Sequence, residues 1–363
     1  MNSLALHFKK LDWPLIISAV LLVSFGLISI YSSSFGTANF LNFQKQLIFA
    51  GLGLFLMFLF SFFDYRIIRN DPYLIIILYG LACLSLAGLF FVAPIRGVRS
   101  WYEIGPVSFD PREFTKLILL ALLAKYFSMR NVEMYRIAHI LLSGFYVLIP
   151  VCLIFFQPEF GIVIMLIALW IATLIFSGIK MRSFFILLLC GLTFVSLVWT
   201  FLLVDYQKER VTTFLSSQED SLGVGWNEVQ SKIAIGSGGL LGKGIGQGPQ
   251  TQYGFLPEPQ TDFIFSAIAE EFGLVGVAVI ILLFGILIFR IIKISLNSSE
   301  NFTRLFTSGF AVLLAIQIFI NIGMSVGLIP IIGIPLPLVS YGGNNLIMIL
   351  IGLGITQNIK LTK

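Results

Sequence analysis

Asp262 stands where the polar run Leu256-Pro257-Glu258-Pro259-Gln260-Thr261 gives way to the apolar Phe263-Ile264-Phe265. A carboxylate at such an edge is partly desolvated yet reaches water, which suits it to accept a proton from a substrate hydroxyl. The position equally suits a helix start, with Thr261 or Asp262 accepting from the first unpaired amides. Spacing alone leaves both open. Glu270 and Glu271 follow eight and nine residues on, about 12 Å further along a helix that rises about 1.5 Å per residue. Ionisable groups that deep in an apolar run are costly, so they serve either chemistry or the bonding of neighbouring helices.

A charged pair opens another apolar run. Glu113 and Lys116 are three apart, on one helical face and within pairing distance. Pairing is the least costly way to hold two charges near hydrocarbon, and the pair either braces the bundle or lines a cavity that positions a polar substrate. Upstream, Arg96, Arg99 and Trp101 bring together cations and an aromatic face, where tryptophan commonly marks membrane depth. Arg210, Lys232 and Lys243 are cations that could meet a phosphate, the last inside Gly236-Ser237-Gly238-Gly239-Leu240-Leu241-Gly242-Lys243-Gly244. Glycines at that density permit close backbone approach and amide nests for phosphate oxygens, although the spacing is not that of a nucleotide-binding P-loop. Ser340, Tyr341, Asn344 and Asn345 follow Pro330, Pro335 and Pro337 and can bond either freed backbone or a sugar.

Composition tells which solvent the supporting elements face. Of 363 residues, 58% are hydrophobic and 11% charged, with 36 Phe, against about 45–50% and about 25% in soluble domains. A water-soluble fold of this length could not enclose so much apolar surface, so lipid is the missing solvent. Cys83, Cys152 and Cys190 sit inside apolar runs, which excludes a disulfide-stapled secreted module. With His7 and His139 the only histidines, a zinc or iron site has no ligand set, and no cofactor is evident. Crossing a bilayer takes about 20 apolar residues. Such runs lie near 14–33, 45–62, 72–93, 113–128, 138–156, 160–178, 182–204, 263–293, 303–327 and 341–358. The chain therefore reads as an all-α polytopic membrane protein of about ten transmembrane helices, one domain over residues 1–363.

An even number of spans leaves both termini on one side. Placing them in the cytoplasm gathers Lys9, Lys10, Arg66, Arg69, Lys125, Arg130, Arg136, Lys180, Arg182, Arg290, Lys293, Arg304, Lys360 and Lys363 on the inner side. These sit in short loops and span ends, where positive charge marks the cytoplasmic face. The net charge of +5 then follows from topology, not from binding nucleic acid. Outside fall 94–112 and 205–262, the second a long extracytoplasmic loop between the seventh and eighth helices that mixes aromatic, glycine and leucine with charge and is expected to pack on the outer face. The proline-rich 328–340 is too apolar for an exposed loop and cannot continue a helix, so it is expected to re-enter the membrane.

Together these segments resemble the SEDS (shape, elongation, division and sporulation) family of peptidoglycan glycosyltransferases. The resemblance is strongest at Gly97 to Lys116, Gln157 to Gly161, Tyr206 to Gly276 and Gly327 to Asn345. The run from Gln230 to Gly239 and the Phe255-Leu256-Pro257-Glu258 approach to Thr261-Asp262-Phe263 look more like the rod-shape branch than the division branch. Three places depart from the family pattern. Where relatives usually show Gln-Pro-Ser-Glu the chain has Asp110-Pro111-Arg112-Glu113. The usual Gln-Pro-Asp-x-Gly-Thr is Gln157-Pro158-Glu159-Phe160-Gly161-Ile162, and Gly-Gly-Ser-Ser is Gly342-Gly343-Asn344-Asn345.

The resemblance implies a bacterial enzyme that polymerises lipid II on the outer face of the cytoplasmic membrane, beside a class B penicillin-binding protein that cross-links the nascent glycan. It places the family's essential aspartate on Asp262, its fourth-span Glu and Lys on Glu113 and Lys116, and the arginine of its Tyr-Gln-x-x-Arg pattern on Arg210. Lipid II holds its sugar on an α-linked pyrophosphate and the product is β-1,4-linked, so a single inverting displacement needs one base. Asp262 is expected to take the proton of the GlcNAc 4-hydroxyl. Arg210 with Lys232 or Lys243, or a divalent cation in their place, would stabilise the departing undecaprenyl pyrophosphate. Trp101, Ser340 and Tyr341 complete the expected substrate-binding set. Two other classes also suit these spans and intramembrane carboxyls: a transporter that flips a lipid-linked sugar, and a non-catalytic scaffold of the wall-synthesis complex.

Overall fold

The structure is a computed structural model that describes residues 3–92, 101–105, 107–130, 137–157, 159–201 and 224–362. A short α1 (Ser3–Lys10) leads into α2 (Trp13–Thr37), α3 (Leu41–Phe62), the brief α4 (Arg66–Asn70) and α5 (Pro72–Gly88). Aspartates begin two of these: Asp12 accepts from Leu15 N before α2, and Asp71 from Tyr73 N and Leu74 N before α5, each followed by a proline in the first turn. An antiparallel hairpin, β1 (Tyr102–Ile104) with β2 (Val107–Phe109), precedes α6 (Pro111–Arg130), α7 (Ile137–Phe155), α8 (Phe160–Phe176) and α9 (Met181–Phe201). Then come α10 (Val224–Ser237), α11 (Pro249–Gln252), α12 (Ile264–Leu296), α13 (Asn301–Val326) and α14 (Gly343–Leu361).

Each apolar run of the sequence falls on one helix: α2, α3, α5 to α9, α12, α13 or α14. Among the described residues six of these are long and apolar enough to cross a membrane: α2, α3, α5 with its 3₁₀ extension, α7, α12 and α13. Of the others, α8 is apolar but short, α6 opens with Arg112, Glu113 and Lys116, and α14 carries Asn344 and Asn345 at one end and Gln357 and Asn358 at the other. Burial is inverted relative to a soluble protein. Ile48, Leu84, Leu141 and Leu282 stand exposed, while Glu270, Gln317 and Asn321 are fully buried, as expected where lipid replaces water outside the bundle.

Two stretches of non-helical backbone are packed inside this bundle. The helix α12 breaks at Gly273, whose φ of 63° and ψ of −163° are open to glycine but costly to other residues. The groups freed by the break are met by the glycine-rich segment: Lys243 N and Gly244 N donate to Glu270 O and Glu271 O at 2.9 and 3.0 Å, and Leu274 N and Val275 N donate to Gly239 O and Leu240 O. The second stretch, 327–342, is irregular and is buried at 334 and 336–340. Val339 lies against Gly26, midway along α2, where any Cβ would collide with its carbonyl. The chain thus dips well into the bundle, which backbone can do only when protein surrounds it.

Four of the basic residues expected on the inner side, Arg69, Lys125, Arg290 and Lys360, meet at one end of the bundle. Lys125 Nζ donates to Arg69 O, Arg69 pairs with Glu300, and Tyr65 OH donates to Glu300 Oε2 at 3.1 Å. Arg290 donates to both carboxylate oxygens of Asp12 at 2.8 and 2.6 Å, and Lys360 lies 3.2 Å from Oδ2. The backbone of Asp12 is bonded to the Gln357 amide in both directions. One carboxylate therefore ties the start of α2 to the ends of α12 and α14. Burial pushes the Asp12 carboxyl up, but the hydrogen bonds and charges of Arg290 and Lys360 outweigh it and hold the group below the usual carboxylate range.

Asp12→Asn should lower stability by about 2 kcal/mol, less than a wholly buried pair because Arg290 and Lys360 are partly exposed. With the folded carboxyl depressed, the stabilisation is complete above the unfolded value of about 3.9 and is lost as pH falls through the folded value. Thermal unfolding in detergent from pH 4 to pH 8 should show a constant gap between parent and variant. A gap that widens toward acid would contradict the assignment.

Candidate active site

Asp262 is half-buried in the turn that feeds α12. The turn is closed by Thr261 N and Phe263 N, which donate to Glu258 O at 3.2 and 3.3 Å. The N-cap residue of α12 is Phe263, one position beyond Asp262. Backbone bonds then fix three consecutive residues. Tyr341 N donates to Gln260 O at 2.7 Å, Ser340 Oγ to Thr261 O at 2.7 Å, and Asn321 Nδ2 to Asp262 O at 3.0 Å. The same Asn321 amide donates to Ile334 O at 2.8 Å, which joins α13, the buried irregular stretch and Asp262 at one point. Asp262 Oδ2 faces Gly333 at van der Waals range, and beneath it Phe263 packs with Leu256, Ala234 and Ala267. The backbone of this turn is thus bonded at three successive residues.

Ser340 is buried and uses its hydroxyl on backbone, donating to Thr261 O and accepting from Leu336 N, while Gln46 Nε2 donates to Ser340 O. Tyr341 is half-buried and contributes its amide. The helix α10 lies beside the same turn: Ser231 Oγ is 2.6 Å from Ser266 Oγ and donates to Ser325 O. On it Lys232 pairs with Glu228 at 2.5 Å and rests over Gly327, at the end of α13. Lys243 is exposed on the glycine-rich segment, level with Glu270 and so about 12 Å along the helix from Asp262. Arg210 lies outside the described residues. Glu270 and Glu271 bond this loop: Glu270 accepts from Gln250 N, Thr251 N and Thr251 Oγ1, and Glu271 Oε1 accepts from Ser32 Oγ and Gly246 N.

Glu113 and Lys116 pair at 2.7 Å and are buried, and Glu113 Oε2 also accepts from Asn345 Nδ2 at 2.7 Å. Asn345 sits in the first turn of α14, just beyond Tyr341, so this pair is linked to Asp262 through the α14 start and Gln260. Trp101 is half-buried immediately before β1. Sequence reasoning passed over Asn321 and Gln46, and marked Arg112 only as a departure from the family pattern. A usable signal existed for the first, since Gln317, Asn321 and Ser325 recur every four residues in an otherwise apolar helix.

Comparison with known proteins decides the family. The FtsW/RodA/SpoVE model, described as cell cycle protein, matches residues 12–363. The chain belongs to this family. It is 37% identical over 360 residues to stage V sporulation protein E of Bacillus subtilis, covering 96% of each chain. It is 38% identical over 288 residues to peptidoglycan glycosyltransferase MrdB of Escherichia coli, covering 79% of this chain and 77% of that one. Among solved structures, a chain from a peptidoglycan synthase complex that coordinates polymerization and crosslinking superposes with a TM-score of 0.83 at 32% identity, covering 97% of this chain and 98% of that one. The rod shape determining protein RodA of Thermus thermophilus superposes at 0.72 with 30% identity, covering 97% of each.

Two departures from the family pattern meet in space. Arg112 donates from Nε and Nη2 to the two oxygens of Asp110, both at 2.8 Å, and its Nη1 pairs with Glu159 Oε1 at 2.8 Å. The guanidinium is buried, so the three residues act as one unit that fastens α6 to the start of α8. The third departure has its own fit, since Asn344 Nδ2 reaches Ser108 O of the hairpin while Asn345 reaches Glu113. Arg112→Ser should cost about 2–3 kcal/mol, because it leaves two carboxylates facing each other beside Glu113. The triple change Asp110→Gln, Arg112→Ser, Glu159→Asp should recover most of that in thermal unfolding, and a triple variant no more stable than the single one would refute the unit.

Proposed function

We propose that this chain is a peptidoglycan glycosyltransferase of the bacterial cytoplasmic membrane that polymerises lipid II into β-1,4-linked glycan, with Asp262 as general base on the extracytoplasmic side. The observation that carries the reading is the half-buried Asp262 carboxylate on a turn held by Asn321, Ser340 and Tyr341. Members of the family similar over most of this chain are named peptidoglycan glycosyltransferases. The resemblance of the Gln230 to Gly239 and Phe255 to Asp262 segments to the rod-shape branch supports a role in elongation and rod shape.

The GlcNAc 4-hydroxyl of the acceptor attacks C1 of the donor MurNAc from the face opposite the pyrophosphate. Asp262 takes the hydroxyl proton as the new glycosidic bond forms, the C1–O bond to pyrophosphate breaks, and the anomeric carbon inverts. Negative charge grows on undecaprenyl pyrophosphate. Arg210, Lys232 and Lys243 are the groups proposed to meet it, Lys232 by exchanging its partner Glu228 for phosphate oxygen. A divalent cation in place of these side chains is the alternative proposed for the same charge. The lipid tail keeps the donor in the bilayer while its sugars stay in water, which favours a base on a turn at a helix start.

Purified Asp262→Asn should polymerise labelled lipid II about 10² to 10⁴ times more slowly than the parent at unchanged thermal midpoint, read as glycan chains on a gel. Parental activity in detergent separates a polymerase from a flippase, which has no meaning without two leaflets. A folded variant with parental turnover would remove Asp262 from the role.

The partner is proposed to be a class B penicillin-binding protein. Supporting it, an apolar groove between α12 and α13 is lined by Phe284, Gly285, Ala315 and Phe319 and ends at the exposed Leu328. Above it α10 exposes Trp226, Val229 and Ile233 at helical spacing outside the spans. A Cβ at Gly285 meets nothing within 4 Å, so Gly285→Phe should fold normally and fill the groove. It should reduce co-purification of the candidate partner about tenfold, and unchanged recovery would place the contact elsewhere.

A further inference from the structure

The helix α13 carries Gln317, Asn321 and Ser325 four residues apart, stacked on one face and each fully buried. The upper two hold the edge at Asp262, Ser325 O accepting from Ser231 Oγ and Asn321 Nδ2 donating to Asp262 O and Ile334 O. Below them the line changes character. Among the described residues neither Nε2 nor Oε1 of Gln317 has a hydrogen-bond partner, and Asn321 Oδ1, one turn above, is also buried and unpartnered. Leaving a buried polar group unsatisfied costs about 1–3 kcal/mol, and hydrocarbon around the bundle offers no relief. Gln317 also lines a cavity of about 10 Å³ with Glu113, Lys116 and Asn345, its other walls apolar. That is close to the least volume that admits a water molecule.

We propose that this cavity is a bound-water site and that Gln317, acting through the water, is a positioning residue for Asp262. A single water can donate to Gln317 Oε1 and the Glu113 carboxylate and accept from Gln317 Nε2 and the Lys116 ammonium, which satisfies the amide and completes the ion pair's shell. The mixed lining selects a neutral ligand: Lys116 opposes a metal cation and Glu113 opposes an anion. The water joins α13 to α6, and Glu113 passes the link to Asn345 at the start of α14. Both routes end on the Asp262 turn, one through Asn321 and the other through Tyr341 N on Gln260 O. Loosening the brace shifts the carboxylate relative to the acceptor hydroxyl, and misplacement by about 1 Å can cost up to about 10² in rate.

The positioning role rests on Asp262 being the base, whereas the water site does not. A structure of the full-length protein in lipid, at a resolution that shows ordered waters, should contain one water within hydrogen-bond distance of the Gln317 amide. Empty density there, or an amide turned onto a protein partner, overturns the site. Gln317→Leu and the near-isosteric Gln317→Met should lower kcat for lipid II polymerisation about tenfold with KM and thermal midpoint unchanged, while Gln317→Glu, which keeps a donor and an acceptor when protonated, restores most of it. Parental kcat in both apolar variants overturns the positioning role. If the parent itself makes no glycan, the reading of Asp262 fails and takes the positioning role with it, while the density still decides the water site.

Discussion

Backbone groups that leave a helix inside a membrane protein have only other protein groups to bond, and the fold around Asp262 is organised by that requirement. The glycine-rich segment is satisfied by the broken α12, which offers Glu270 O and Glu271 O as acceptors and Leu274 N and Val275 N as donors. The proline-rich stretch is satisfied by side chains from three elements, Gln46 of α3, Asn321 of α13 and its own Ser340. The Asp262 turn is held by Asn321, Ser340 and Tyr341, all more than fifty residues away in sequence. A loop tethered only at its ends would leave the carboxylate free to wander, and general-base chemistry depends on hydrogen-bond reach.

Charge is handled by pairing across elements. At one end Asp12 gathers Arg290 and Lys360, and Glu300 gathers Arg69 and Tyr65. Toward the other end Glu113 with Lys116, and Arg112 with Asp110 and Glu159, do the same for α6, α8 and α14. Each of these clusters joins helices distant in sequence, and a cluster that loses one member leaves a buried charge uncompensated. The cost of breaking them explains why the positions that depart from the family pattern do so as a set: Arg112 in place of a small hydroxyl is tolerable because carboxylates stand at 110 and 159.

Similarity to solved members of the family, at a TM-score of 0.83 with 32% identity, means that two-thirds of the residues differ on one backbone course. On helix faces that meet lipid an apolar side chain of almost any shape serves. The side chains that satisfy freed backbone have no such latitude, because each must present a donor or acceptor at a fixed point. This separates the residues that hold the Asp262 turn from those that only keep the bundle in the bilayer.

The sequence by itself determined the membrane class, the apolar runs from which the helices are built and the edge on which Asp262 sits. All of these follow from local hydropathy and from charge near span ends, which need no knowledge of what lies opposite. It also marked 328–340 as backbone that could be neither helix nor exposed loop. Only the tertiary structure showed the bonds that hold the Asp262 turn, the loop amides that Glu270 and Glu271 accept from, and the backbone groups that Ser340 meets. It alone brought Arg112 to Glu159 and exposed the unpartnered amide of Gln317. The reason is physical: a hydrogen bond or ion pair between distant segments depends on register between helices, and periodicity within one helix carries no information about the helix it will face.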